Sequence, residues 1–285
     1  MPGVRVEAAP AKVNLTLRVL GRRPDGYHDI ESIVAFAQLG DVLAFEPGRT
    51  LSLGVRGPTA AAAGHTADNL VLRAARALAD RVAGLRLGRF ELSKRLPVAA
   101  GLGGGSADAA AALRLLARAN RLAGDDARLM QAAQATGADV PVCLDPRARI
   151  MRGRGDLLSS PLDLPSLPAV LVNPNVPLAT RDVFAAFKPD PGQAQAAAIT
   201  GSSSDLRGLI AGGRNELEGP AAALAPVVAE VLSALRALPG CRLARMSGSG
   251  ATCFGLLESR RGAAAAARLL RETHPRWWVR ATVLS

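Results

Sequence analysis

Leu96-Pro97-Val98-Ala99-Ala100-Gly101-Leu102-Gly103-Gly104-Gly105-Ser106-Ala107 is the stretch whose chemistry decides the fold. Four glycines in five positions cost backbone entropy and need a compensating reason. They stand directly before DAAAALRLLARA, an Ala/Leu-rich run that predicts a helix over about 106–120. At such a junction the first helical turn presents N–H groups with no partner inside the helix, together with the positive end of the helix dipole. Without Cβ atoms in the way an anion can approach that backbone closely, so phosphate binding follows. A plain strand-to-helix turn capped by Ser106 would need one glycine, not four. The pattern is not Walker A, because no Lys-Ser or Lys-Thr follows the glycines, and it lacks the context of a dinucleotide fingerprint.

Outward from this loop, strands and helices mix without strict alternation, which predicts α+β layers. Residues 11–20 alternate, with Val13, Leu15, Leu17 and Val19 on one parity and Lys12, Asn14, Thr16 and Arg18 on the other. That spacing predicts a half-buried strand with Lys12 and Asn14 on its exposed face. Arg22-Arg23-Pro24-Asp25-Gly26 is turn chemistry. Further strands are expected at 51–55, at 85–92 with a bulge at Gly88, and at 170–172, near Met246, at 251–257 and at 277–284. Helices are expected at 67–83, 125–135, 205–212, 224–237 and 260–272, with Pro141 stopping a helix in the loop Gly137-Ala138-Asp139-Val140-Pro141. Residues 189–204 are rich in Gly, Pro, Ser and Ala and read as a connection. A boundary near 155–165 divides the chain into domains 1–160 and 161–285.

The formal charge of +11 comes from 35 basic and 24 acidic residues, and only Lys12, Lys94 and Lys188 among the basic ones are lysines. The arginines are scattered, and one Tyr, two Trp and six Phe offer few stacking platforms. Nucleic-acid binding needs a basic stripe with aromatic platforms, and neither is visible. Cys143, Cys241 and Cys253 sit far apart in apolar company and fit buried, reduced thiols. Neither a signal peptide nor a membrane span is legible, so a cytoplasmic protein with no membrane partner is expected.

PVAAGLGGGSADAA resembles the central ATP-binding motif of the GHMP kinases, the superfamily of galactokinase, homoserine kinase, mevalonate kinase and phosphomevalonate kinase. PAKVNLTL at 10–17 and MSGSGATCFGL at 246–256 stand in the order that this superfamily shows. GRRPDGYHDIES at 21–32, GADVPVCL at 137–144 and RNELE at 214–218 narrow the likeness to a branch acting on a cytidyl-linked polyol. That resemblance implies an N-terminal α+β domain like a ribosomal-protein domain, a ferredoxin-like C-terminal domain, and phosphorylation of the polyol's tertiary 2-hydroxyl by ATP, in the non-mevalonate route to isoprenoid precursors. Small-molecule partners, the polyol and ATP, are the expectation. Mg²⁺ is expected with the ATP, its protein ligands unassigned.

The resemblance also implies roles. Pro97, Val98, Ala99, Ala100, Gly101, Leu102, Gly103, Gly104, Gly105, Ser106 and Ala107 would bind ATP. Asp139 would be the catalytic base. A carboxylate cannot strip an alcohol beforehand, so its work is to orient the hydroxyl and take the proton as the O–P bond forms. Lys12 would keep that base ionised and offset developing negative charge. Asn14 would contact substrate, while Tyr27 and His28 would recognise the cytidine, the Tyr by packing and the His by hydrogen bonds. Thr180 and Phe184 would add further contacts, Phe184 closing the other side of the cytosine. Taken without the resemblance, Lys12 could be a solvated strand lysine, Asp139 a turn or helix cap, and His28 a surface residue. The rival readings are another GHMP kinase, acting on homoserine or mevalonate, and a non-catalytic nucleotide- or nucleic-acid-binding module on the same fold.

Overall fold

The computed structural model describes residues 3–63, 68–188 and 206–285. The expected connection at 189–204 lies outside the described residues. The chain forms two compact units: Met1–Ala11, Leu39–Val98 and Gly103–Pro146 make the first, and Lys12–Gln38, Ala99–Leu102 and Arg147–Ser285 the second.

In the first unit, Val42–Pro47, the end of the long strand His28–Pro47, pairs antiparallel with strand Gly88–Ser93, which pairs in parallel with Ser52–Arg56. A parallel pair requires a crossover, and helix Leu70–Ala79 supplies it. The sequence predicts that helix over 67–83. The observed one is shorter because Asn69 caps it, its side chain accepting from the Val71 N–H at 2.9 Å. Gly88, expected as a bulge, stands in register opposite Pro47. The parity switch there marks close approach instead: a Cβ on Gly88 would lie 2.1 Å from the Glu46 carbonyl. Helix Gly104–Asn120 packs on Leu70–Ala79, Ala127–Thr136 and Val140–Leu144. Ala109, Ala110, Ala111 and Ala112 are fully buried along it, and side chains that small let neighbouring helix backbones come close. With so few aromatic residues, packing rests on Ala, Leu and Val, around the tilted Phe45–Phe90 pair with centroids 4.7 Å apart.

The second unit holds an antiparallel sheet in the order Trp278–Leu284, Leu167–Asn173, Cys253–Leu257, Cys241–Met246. Helices Val227–Arg236 and Arg260–Thr273 cover it. In chain order this is strand–helix–strand–strand–helix–strand with the fourth strand beside the first, the ferredoxin-like arrangement that the resemblance implies. The helix expected at 224–237 is Val227–Arg236, its start set by Pro226 at the N-cap, and a further short helix, Glu218–Leu224, precedes it unforeseen. The same unit carries a hairpin, Arg18–Arg22 against the start of His28–Pro47, with Arg149–Gly153 on that strand's other side. The strand expected over 11–20 divides into Arg5–Asn14 and Arg18–Arg22, because Thr16 spends its hydroxyl on the Ile33 N–H and Leu17 bridges to Asn215.

Candidate active site

Helix Gly104–Asn120 begins two residues before the sequence-based start. Its N-cap is Gly103, held at φ +60°, which has no side chain to cap it. Ser106 therefore lies inside the first turn, whose backbone N–H groups have no partner within the helix. Gly101 has a different reason for being glycine. Its φ is +75°, and a Cβ there would stand 2.2 Å from the Ser247 carbonyl oxygen. The glycines are thus not all spent on anion approach, since Gly101 is required by the second glycine motif. Gly101→Val should cost roughly 3 kcal/mol or more, by forcing a β-branched residue into a left-handed conformation against backbone. Urea unfolding of the variant measures it, and an unchanged midpoint would refute the packing.

The turn after strand Cys241–Met246 is the partner of that loop. Ser247 Oγ donates to the Gly101 carbonyl at 2.8 Å and accepts the Asn14 N–H at 3.0 Å. The Thr252 N–H donates to the Ala100 carbonyl at 3.1 Å. Asn215, from the RNELE run, donates to the carbonyls of Met246 and Gly248 at 2.8 and 2.7 Å and so fixes the turn's path. The sequence marked MSGSGATCF as a second glycine turn; its grip on residues 100–101 emerges only in three dimensions.

Lys12 and Asn14 do share a face, but that face is buried, with 4% and 1% exposure. The expectation of an exposed parity is corrected here, because the polar groups on it satisfy one another. Lys12 Nζ donates to Asn14 Oδ1 at 2.8 Å, Asn14 Nδ2 donates to Ser32 Oγ at 2.7 Å, and Ser32 Oγ donates to the Thr16 carbonyl. The Lys12 N–H is bound to the Leu102 carbonyl at 2.9 Å, tying this strand to the start of the glycine loop. Asn14 thus orients the Lys12 ammonium.

Asp139 is half-buried at the N-cap of the short helix Val140–Leu144. Pro141 does not stop a helix here. It lies in the first turn of one, where its missing N–H costs nothing. The Asp139 side chain makes no capping hydrogen bond to this helix. Lys12 belongs to the second unit and Asp139 to the first.

In the second unit, Tyr27 follows the turn at Gly26 and is 52% exposed, with the Arg154 guanidinium 5.2 Å over its ring. His28 stacks on Phe184, with centroids 4.8 Å apart and planes at 24°. Burial, and then the Arg22 cation, holds the His28 imidazole below its ordinary value. Its neutral ring can both donate and accept hydrogen bonds. Thr180 opens helix Thr180–Ala186, its hydroxyl 2.9 Å from that of Ser249. The structure therefore brings His28 and Phe184 together, and Thr180 with the second glycine turn.

Sequence reasoning passed over one cluster. Lys94 is 4% exposed, and its ammonium lies 2.6 Å from both Asp41 Oδ2 and Asp108 Oδ2. Burial lowers the Lys94 pKa, but the two carboxylates outweigh it and the net shift is upward. Burial pushes the Asp108 carboxyl up to about 7, while Lys94 pulls the other way. The signal available in the sequence was rarity, since in an Arg-rich chain the three lysines stand out. A carboxyl with a raised folded-state pKa binds its proton more tightly in the native state. Its contribution to stability is complete below roughly pH 4 and fades as pH rises through about 7. Thermal melts from pH 5 to 8 should show a Tm decline that Asp108→Asn diminishes; an equal decline in both would contradict this.

The model for the GHMP kinases N terminal domain matches residues 69–145, and that for the GHMP kinases C terminal matches 194–276. A protein of Methylobacterium radiotolerans named 4-diphosphocytidyl-2-C-methyl-D-erythritol kinase is 59% identical over 286 residues, covering 98% of both chains. The chain belongs to the GHMP kinases. A protein of the same name from Rhodopseudomonas palustris (strain HaA2) is 57% identical over 290 residues, again covering 98% of both chains. A crystal structure of 4-(cytidine 5'-diphospho)-2C-methyl-D-erythritol kinase is 38% identical, with a TM-score of 0.80 over 99% of both chains. Homoserine kinase from Cytophaga hutchinsonii shares the fold, at 19% identity and a TM-score of 0.71. As a GHMP kinase, the chain is an ATP-dependent phosphotransferase with the α+β architecture that its sequence implied.

Proposed function

We propose that this kinase transfers the γ-phosphoryl group of ATP to the 2-hydroxyl of 4-diphosphocytidyl-2-C-methyl-D-erythritol, giving the 2-phosphate and ADP. Its relatives bear the name of that enzyme across their whole length, and GYH with GADVP sets the chain apart from homoserine and mevalonate kinases. The observation that carries the phosphate half of the reading is the helix starting at Gly104 with no side-chain cap. Phosphoryl transfer is mostly positioning and charge stabilisation, which backbone amides at a helix start supply. Magnesium fits as an ion carried by the nucleotide, since it keeps several waters and takes few protein ligands. Among the described residues no group of three or more His, Cys, Asp or Glu is placed to hold a metal. Its chemistry would be to neutralise charge on the phosphate oxygens.

Asp139 is assigned as the base that orients the acceptor hydroxyl and receives its proton. Lys12, aimed by Asn14, is assigned to developing charge on the transferred group. Tyr27, His28 and Phe184 are assigned to the cytosine, supported by two rings that already stack and a third left accessible. An ADP-release assay comparing the cytidyl polyol with mevalonate and homoserine tests the assignment. Turnover with the polyol alone is expected, and preference for either of the others would overturn it. Tyr27→Ala should raise the polyol KM by about tenfold, more than it lowers kcat, because stacking contributes about 1–3 kcal/mol of uniform binding. An unchanged KM would remove Tyr27 from the site.

Among the described residues no helix is long and apolar enough to cross a membrane. We place the enzyme in the cytoplasm, where ATP is supplied.

A further inference from the structure

The buried trio Asp41–Lys94–Asp108 has no part in the chemistry described above, yet it joins the segment leading into the glycine loop to the helix that follows it. Asp41 Oδ1 accepts the backbone N–H of Leu96 at 2.9 Å and that of Arg95, while its Oδ2 receives the Lys94 ammonium. Lys94 is fixed on its other side as well, its N–H donating to the Arg56 carbonyl at 2.7 Å. The Leu96 carbonyl accepts the Thr59 hydroxyl at 2.9 Å. Segment 94–96 is therefore held at every polar group that these bonds reach, immediately before Pro97.

From that anchored segment the ammonium reaches forward to Asp108, in the second turn of helix Gly104–Asn120. It also lies against the first turn, since a Cβ on Gly104 would stand 3.3 Å from Lys94 Nζ and 3.4 Å from a Leu96 methyl. The other Asp108 oxygen, Oδ1, is buried with no hydrogen-bond partner. A stranded buried oxygen costs stability, which a residue serving stability alone would not be expected to carry. An alanine at 108 would continue the Ala run and remove that cost. The carboxyl's raised pKa eases the cost, because a neutral acid strands less charge.

We infer that Asp108 is a positioning residue of the nucleotide site: through Lys94 it tethers the start of helix Gly104–Asn120 to the Asp41-anchored segment and so sets where the loop's amides stand. The inference rests on the reading that those amides hold ATP phosphates. A tether of this kind acts on the donor nucleotide and leaves the acceptor alone.

The test is isothermal titration with a non-hydrolysable ATP analogue and magnesium, alongside steady-state kinetics. It compares the parent, Asp108→Ala, Asp108→Asn and Lys94→Met. Asp108→Ala keeps Lys94 paired with Asp41 and suits a helix, so it is expected to fold, with its Tm recorded. It should raise the analogue Kd and the ATP KM about five- to tenfold and leave the polyol KM within twofold. Asp108→Asn keeps an oxygen for the ammonium and should restore both values to within twofold of the parent. Lys94→Met should repeat the Asp108→Ala pattern if it folds, and the inference stands on the Asp108 pair if it does not. Parent affinity in Asp108→Ala, or an equal rise in the polyol KM, would overturn the inference while leaving the kinase reading intact. A parent chain that fails to bind the analogue would overturn the phosphate reading itself.

Discussion

Asp139→Ala lowers kcat by roughly 10²–10⁴-fold, the range for loss of a positioned general base, while the dissociation constant for an ATP analogue stays within about twofold. The two halves of this expectation have separate causes. The nucleotide is read as held by backbone amides at the start of helix Gly104–Asn120, whose N-cap, Gly103, has no side chain. Asp139 stands at another helix start, before Val140, where its carboxylate makes no capping bond. Removing it should leave the short helix intact, because Pro141 already supplies the fixed φ that the first turn needs. The unfolding midpoint of the variant is recorded beside its kinetics. Single-turnover kinetics with saturating polyol measures the chemical step. A variant that loses ATP affinity as much as turnover would move Asp139 out of the acceptor's role.

Lys12→Met lowers kcat by roughly 10²–10³-fold, the scale seen when one preorganised charge-stabilising donor is removed. Lys12 is 4% exposed, so its ammonium acts in a water-poor setting where a single charge counts for far more than at the surface. Its direction is set by Asn14 and, behind that, Ser32. Lys12→Arg should not restore activity, since a planar fork cannot take the place of a compact ammonium packed against an amide oxygen. Stopped-flow measurement of the phosphoryl-transfer step is the check. A Met variant retaining a third or more of the parental rate would leave Lys12 with a structural part only.

Much of the architecture was legible because local patterning and tertiary packing agree. The helix after the glycines and the strand at Leu167–Asn173 are apolar runs buried on nearly every side, and helix Arg260–Thr273 buries Ala263, Ala266, Ala267 and Leu270 at helical spacing. The departures are at places where a single residue's tertiary partner decides. Gly88 switches parity without a bulge because the Glu46 carbonyl crowds it, and Pro226 delays the start of a helix that apolar spacing alone would begin at 224. Lys12 and Asn14 alternate with apolar neighbours as exposed residues do, yet they are buried, because a polar chain through Ser32 satisfies them. The residues named for the site came from motif order. Periodicity could not separate a catalytic aspartate from a cap, or Lys12 from a solvated lysine. The braces behind the loops were out of reach for a simpler reason. Ser247 meets Gly101, and Lys94 meets Asp41, across long separations in sequence that no local pattern encodes.

The most direct measurement is a crystal structure with a non-hydrolysable ATP analogue and magnesium bound. The triphosphate should lie within hydrogen-bonding distance of the backbone N–H groups of Gly104, Gly105 and Ser106. A triphosphate seated elsewhere, with those amides facing solvent, would contradict the claim that this glycine loop is the phosphate site.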